Sequence, residues 1–170
     1  MFTHILLPTD GSPLSDAAIE KGIVFARSIH ARVTGLCVVP KVHPSYSDRE
    51  TSRGVAEPAD WCGVPQVYPS FYGGEIPRRG TEPTEERMRA DAKIHVAALA
   101  RMAHGAGVAC DAVVEISDHP YETILSVAEE QGCDLILMAS HGRKGIRALL
   151  LGSETQKVLT HSKIPVLVYR

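Results

Sequence analysis

The sequence predicts an α/β protein built on one parallel sheet, and three observations predict it. Short apolar runs rich in strand-forming residues recur at 5–8, 32–39, 108–116, 135–139 and 166–169. Stretches with helical apolar spacing separate them. Capping residues and glycines mark where those stretches start and stop. Strands that alternate with amphipathic helices form a parallel sheet covered on both faces, a three-layer α/β/α sandwich.

Each element has its own justification. Ile5 to Pro8 is a short apolar strand, and Thr9-Asp10-Gly11 turns the chain. Ser12 is a good N-cap and Pro13 suits the first helical position. Leu14, Ala18, Gly22, Phe25 and Ile29 then recur at helical spacing to about His30. Arg32 to Val39 carries Val33, Leu36, Val38 and Val39, residues that favour a strand. A long helix begins near Thr84, with Met88, Ala92, His95, Leu99 and Met102 as its apolar stripe and Val96 and Ala103 beside them. Gly105 and Gly107 end it. Val108 to Ile116 is the third strand. Asp118 is placed to cap the next helix ahead of Pro120, with Tyr121, Ile124, Leu125 and Ala128 on its buried face and Gly132 closing it. Leu135 to Ala139 is a fourth, fully apolar strand, as expected of a strand buried on both faces. A helix opens at Gly152-Ser153 and runs to about His161, and Val166 to Tyr169 is the last strand.

Composition narrows the class. A chain of 170 residues suits one domain over 1–170. Its net charge of −2, with acids and bases mixed, argues against a nucleic-acid binder. Phe2-Thr3-His4 is no basic leader, and no apolar run is long enough to span a membrane. Cys37, Cys62, Cys110 and Cys133 are scattered, with no C-x-x-C pair. These features predict a reduced, cytoplasmic chain with no nucleic-acid or membrane partner. The histidines show no H-x-x-x-H or H-E-x-x-H spacing, so no metal site of their own is expected. Cys62 and His43 have nothing beyond their presence to suggest one.

Between about 40 and 83 the character changes, as Pro, Gly and aromatic residues crowd together without period. Two readings stand: a plain surface insertion, and a lid or arm for a protein partner. Trp61 and most of the tyrosines lie here, and such aromatics favour interfaces.

The chemistry concentrates in LILMASHGRKGIRALLLGSETQKVL, Leu135 to Leu159. A buried strand, a loop of small, hydroxyl and basic residues, and a glycine-led helix start form a natural seat for phosphate. Glycines admit a phosphate close to the backbone. Ser153 adds a hydroxyl, and Arg143, Lys144 and Arg147 add positive charge. Glu154 opposes an anion, although an acid in a first helical turn also suits the dipole. The plainer reading makes Gly142 and Gly145 turn glycines and Gly152-Ser153 an ordinary cap. There is neither a P-loop run nor a G-x-G-x-x-G turn. Asp10 has two roles open to it: ribose or metal binding, and satisfying amides of its own turn. His141 reads as an exposed loop residue, with no obvious nucleophile beside it.

The segments ILLPTDGSPLSDAAIEKGIVFA, MASHGRKG and LLLGSETQKVLTHSKIPVLVYR, in this order, resemble the universal stress protein (UspA) family, in its nucleotide-binding branch. The resemblance implies an adenine nucleotide alpha hydrolase-like fold with strand order 3-2-1-4-5. It implies a pattern of G-x-x-G, nine residues, then G-S or G-T, of which Gly142, Gly152 and Ser153 are present and Ala139 replaces the first glycine. Carried over, Gly142, Gly152 and Ser153 hold phosphates, with the amides of Glu154 and Thr155 following and the charge of Arg143 beside them from the reading of the loop. Met138 and Ala139 lie near the ribose, Pro8, Thr9 and Asp10 meet the nucleoside, and Val38 meets the adenine through its backbone. If Ala139 keeps a negative φ as the continuation of a strand, its only cost is a methyl near the ribose, so weakened rather than abolished binding is expected.

The resemblance further implies ATP with Mg as ligand, AMP or cyclic AMP remaining open, and a homodimer paired through the terminal strand, Val166 to Tyr169. It implies a regulatory binding protein in stress response, at most a slow ATPase. The alternative is a dimeric interaction module of the same family without nucleotide binding. An efficient hydrolase is disfavoured, because phosphoryl transfer needs a positioned base, metal ligands and charge stabilisers, and only Asp10 and the basic loop are visible.

Overall fold

The computed structural model describes residues 1–42, 85–142 and 151–170. The stretch expected to be an insertion and the basic loop with Arg143, Lys144 and Arg147 lie outside these residues. The order is β1 (His4–Thr9), α1 (Pro13–Ser28), β2 (Arg32–Val39), α2 (Glu85–Gly105), β3 (Cys110–Ile116), α3 (Pro120–Glu130), β4 (Leu135–Ala139), α4 (Ser153–His161) and β5 (Val166–Tyr169). All strand pairs are parallel, in the order β3-β2-β1-β4-β5. The expected order 3-2-1-4-5 is the order found.

Alternation along each strand sorts side chains to the two faces. Ile5, Leu7, Val33, Leu135, Leu137 and Ala139 pack with Ala18, Ile19 and Ile23 of α1 and Leu99 and Ala103 of α2. Leu6, Leu36, Ile136 and Met138 pack on the opposite face with Ile124 and Val127 of α3 and Val158 of α4. Cys37 and Val39 extend the α2 side with Ala92 and Val96. The sandwich therefore has α1 and α2 on one side and α3 and α4 on the other.

Local chemistry explains most boundaries. Ser12 caps α1, its hydroxyl accepting from Ser15 N at 3.2 Å, with Pro13 in the first turn. That helix ends at Ser28, short of His30, which takes a φ of 57° in the turn to β2. Two expectations need correction. The buried stripe of α2 is Ala92, Val96, Leu99 and Ala103; His95 is half-buried and Met102 is 41% exposed. Ala92 and Leu99 of the expected stripe are buried, whereas at His95 and Met102 their neighbours Val96 and Ala103 face the core instead. Asp118 does not cap α3 either. The cap position is His119, which makes no side-chain bond, and the Asp118 carboxylate instead accepts Lys41 N at 3.0 Å.

At the amino ends of the strands Asp134 ties β1 to β4. Its carboxylate accepts Thr3 N at 2.7 Å, Thr3 Oγ1 at 2.8 Å and His4 N at 2.9 Å. Burial alone would raise its pKa, but these bonds prevail and hold it below the usual carboxylate value. Cys133 is a buried free thiol, and burial pushes it up to about 11, so it stays a protonated hydrophobe. Among the described residues no helix is long and apolar enough to cross a membrane, and no His, Cys, Asp and Glu cluster could hold a metal ion.

Candidate functional site

The sheet reverses direction of growth at β1 and β4, and there its carboxyl edge opens. β1 and β4 are in register at Ile5 with Leu135 and Leu6 with Ile136. Beyond those pairs β1 continues to Thr9 and β4 to Ala139, so the strands run on into a crevice at the topological switch point. Ligands of open α/β sheets bind in this place.

One wall is the turn after β1. Gly11 takes a φ of 70°, a left-handed conformation that suits glycine. Its N–H donates to Thr9 Oγ1 at 3.0 Å, and Ser12 N donates to Asp10 Oδ1 at 3.0 Å. Thr9 Oγ1 also lies 3.1 Å from Ser15 Oγ. The Thr9 side chain is thus used internally, and one Asp10 oxygen satisfies its turn. The other, Oδ2, lies where a Cβ on Gly142 would have to be. Pro8 is half-buried just before this turn.

The opposite wall leaves β4. Ala139 is the last residue of that strand, in register with Tyr169, and is 7% exposed. Its φ is not positive: His30 is the only non-glycine residue with a positive value among those described. The negative-φ expectation for Ala139 therefore holds, and its methyl belongs to the core on the α1 side. Met138 is likewise buried in the core on the other face, so each presents mainly backbone at the crevice.

Ser140 is the joint that sequence reasoning missed. Its N–H donates to Tyr169 O at 2.7 Å, its carbonyl accepts Gly152 N at 2.7 Å, and its hydroxyl lies 3.1 Å from His141 Nδ1. It thereby joins β4, β5 and the start of α4. With the hydroxyl at His141, that histidine is half-buried and partnered rather than an exposed loop residue. Ser140 is 1% exposed, so its hydroxyl is built to position, not to attack. The only signal in the sequence was its place between a strand end and a glycine.

Gly152 precedes α4 with extended backbone, φ −72° and ψ 158°, and no side chain caps this helix among the described residues. A Cβ at Gly152 would come 3.1 Å from His141 Cα and 3.3 Å from His141 Cβ. Thr155 is buried and its hydroxyl donates to Ala139 O at 3.0 Å, which fixes α4 to the end of β4. Ser153 is exposed in the first turn. The Glu154 carboxylate is turned to α3, where it accepts Tyr121 N at 3.0 Å and pairs with Lys157 at 2.9 Å. Val38 lies one residue past the last register pair of β2 with β1, Thr9 with Cys37, while still paired with Glu115 on β3. Of the expected site residues, Asp10, Ala139, Gly142, Gly152 and Thr155 are linked by these contacts. Ser153 and Glu154 follow in the same turn, and Arg143 lies outside the described residues.

The arrangement can receive an anion. The first-turn N–H groups of a helix, which have no acceptor within the helix, and the helix dipole favour negative charge, and the glycines remove the Cβ atoms that would block approach. Fold and crevice together define an α/β/α sandwich protein on a five-stranded parallel sheet in the order 3-2-1-4-5. Comparison with known proteins makes the assignment particular. A profile of the universal stress protein family matches residues 1–61 and 67–170, and the chain belongs to that family.

Universal stress protein MJ0577 of Methanocaldococcus jannaschii is 45% identical over 51 residues, a match spanning 30% of this chain and 32% of that protein. Universal stress protein MJ0531 of the same organism is 25% identical over 170 residues, the whole of this chain and 83% of the relative. The solved structure of MJ0577 superposes with a TM-score of 0.66 at 24% identity, covering 99% of this chain and 95% of that one. A universal stress protein in complex with cAMP has a TM-score of 0.62 at 16% identity, covering 99% and 97%. One from Archaeoglobus fulgidus in complex with dAMP has 0.60 at 13%, covering 100% and 98%. At these identities the likeness of the structures is one of fold.

Proposed function

We propose that this chain binds an adenine nucleotide in the crevice between β1 and β4, with ATP and Mg as the physiological ligand, and serves as a regulatory protein in stress response. The observation that carries the reading is the glycine-led start of α4, which no side chain caps among the described residues, with Gly152 hydrogen-bonded to Ser140 at the end of β4. α1, by contrast, spends its N-cap on Ser12. Family members of the same fold in complex with cAMP and dAMP support the ligand class.

In this reading Gly142, Gly152, Ser153 and the amides of Glu154 and Thr155 hold phosphates. The backbone of Met138 and Ala139 borders the ribose, Pro8, Thr9 and Asp10 meet the nucleoside, and the backbone of Val38 meets the adenine. Asp10 is the carboxylate this reading assigns to a Mg ion beside the phosphates. A triphosphate offers more phosphate oxygens to the α4 start than AMP or cyclic AMP does. Ala139 does not favour a non-binding member, because it is a strand residue with its methyl in the core. A second copy of the chain pairs along β5, the strand at one edge of the sheet, whose Leu167 is 46% exposed. Mass spectrometry of ligand released from the purified protein, followed by calorimetric titration with ATP and cyclic AMP, tests the nucleotide reading. The expected result is released adenine nucleotide and saturable heat with ATP. No bound nucleotide and no heat at millimolar ligand overturns it.

A further inference from the structure

The start of α3 lacks what its own segment should supply. Its cap residue, His119, makes no side-chain bond, and Asp118 is engaged with Lys41. The missing acceptor comes from another helix: Glu154, in the first turn of α4, accepts the N–H of Tyr121, the second residue of α3, at 3.0 Å. Lys157 holds the second carboxylate oxygen at 2.9 Å and sits 5.2 Å from the centroid of the Tyr121 ring. The ring of His161 lies 5.6 Å from that of Tyr121. The first turns of α3 and α4 are thus joined through one carboxylate.

We infer that Glu154 is a positioning residue, which fixes the phosphate-seat turn of α4 to the first turn of α3. The inference rests on the reading of that turn as a phosphate seat. The Lys157 pair contributes little by itself, since its side chains are 48% and 35% exposed. The bond to a backbone N–H at a helix start is the tie. It also resolves the electrostatic conflict at the seat. A carboxylate satisfied by α3 and Lys157 presents less negative charge to an incoming anion than an unpaired one.

The full chain tests this with four variants. Glu154→Ala and Glu154→Gln are both uncharged and differ in whether an acceptor remains for Tyr121 N–H. Tyr121→Ala and Tyr121→Pro both lack the ring and differ in the N–H itself. Proline is tolerated there because the first helical turn makes no use of that donor internally. The first readout needs no nucleotide: hydrogen exchange of the Gln156 amide, which closes the first turn of α4 onto Gly152 O at 2.9 Å. Exchange is expected roughly tenfold faster in Glu154→Ala and Tyr121→Pro, and within about threefold of the parent in Glu154→Gln and Tyr121→Ala.

The second readout compares ATP with adenosine. Glu154→Ala should lose roughly tenfold in ATP affinity and Glu154→Gln should recover it, with adenosine binding unchanged in both. Unchanged Gln156 exchange in Glu154→Ala and Tyr121→Pro overturns the inference, as does a rise in ATP affinity in Glu154→Ala, which would make the carboxylate a mere repellent. A parent protein that binds neither ligand defeats the nucleotide reading instead, and the exchange experiment still decides the role of Glu154.

Discussion

The backbone of Gly142 lies against the carboxylate of Asp10, so that a Cβ on the glycine would fall on Oδ2. The other carboxylate oxygen accepts Ser12 N at 3.0 Å at the entry to α1. The two walls of the crevice therefore meet at this pair, one bringing a charge and the other bringing the absence of a side chain. Gly142→Ala should displace Asp10 and weaken ATP at least tenfold in calorimetric titration, with little loss of stability, since Gly142 is exposed and the added Cβ meets only the end of a side chain. Parent affinity in this variant would show that Asp10 needs no fixed place.

Gly152→Val acts on the other glycine. A Cβ there already meets His141 Cα at 3.1 Å, and a branched side chain also covers the helix start. Nucleotide binding should disappear while the far-ultraviolet circular dichroism of the fold persists. Retained affinity would locate the ligand elsewhere.

Ala139→Gly tests whether restoring the glycine of the family pattern restores anything. The methyl is 7% exposed and packed in the core, and the backbone is extended strand. Affinity for ATP should stay within about threefold of the parent, and chemical denaturation should reveal a loss of about 1–2 kcal/mol from a glycine in a strand and a missing methyl. A tenfold gain in affinity would mean that the methyl does obstruct the ribose.

His4 makes stability pH-dependent. It is 2% exposed, with Nε2 2.8 Å from Thr34 Oγ1 and no hydrogen-bond partner of good geometry at Nδ1 among the described residues. Burial, then the nearby Arg32 charge, lowers its pKa below 6.5, against the pull of the Gln131 carbonyl, Asp111 and Asp134. The folded state thus binds this proton less readily than the unfolded state. The stabilising contribution is complete above the unfolded value and falls as pH drops from there toward the folded value. Urea midpoints should fall between about pH 7.5 and about pH 5.5, and His4→Gln should flatten that fall. An unchanged slope in the variant would remove His4 from the account.

Association should depend on the last strand. Light scattering at micromolar concentration is expected to give a dimer, and Val168→Pro, which removes a strand N–H from β5, is expected to give monomer. Val168 is in register with Met138, so a melting curve must accompany the measurement. A folded parent that scatters as monomer refutes the pairing.

Elements with a local cause were legible in the sequence. β4 is apolar throughout because both faces are covered, and Ser12-Pro13 announces α1 through its own hydroxyl and ring. Features made by distant partners were not. Asp118 looks like a cap until Lys41, far away in sequence, takes its carboxylate, and the bond that replaces it comes from Glu154. In α2, Ala92 and Leu99 were legible as core, but His95 and Met102 have the spacing of a buried face and lie partly exposed. At the site, Gly142, Gly152 and Asp10 were visible as residue types suited to phosphate and ribose. Ser140 was not, since its bonds to Tyr169, Gly152 and His141 depend on the adjacency of β4, β5 and α4.

Asp134 clamps β1 to β4 from the end of the sheet remote from the crevice. Part of the fold's endurance is therefore inherited through residues that take no part in the candidate site. A lineage moving to a warmer habitat can rewrite the rim around Thr3, His4 and Asp134 and leave the candidate site as it is. The opposite rim is free to drift toward a new ligand while the clamp keeps the chain folded.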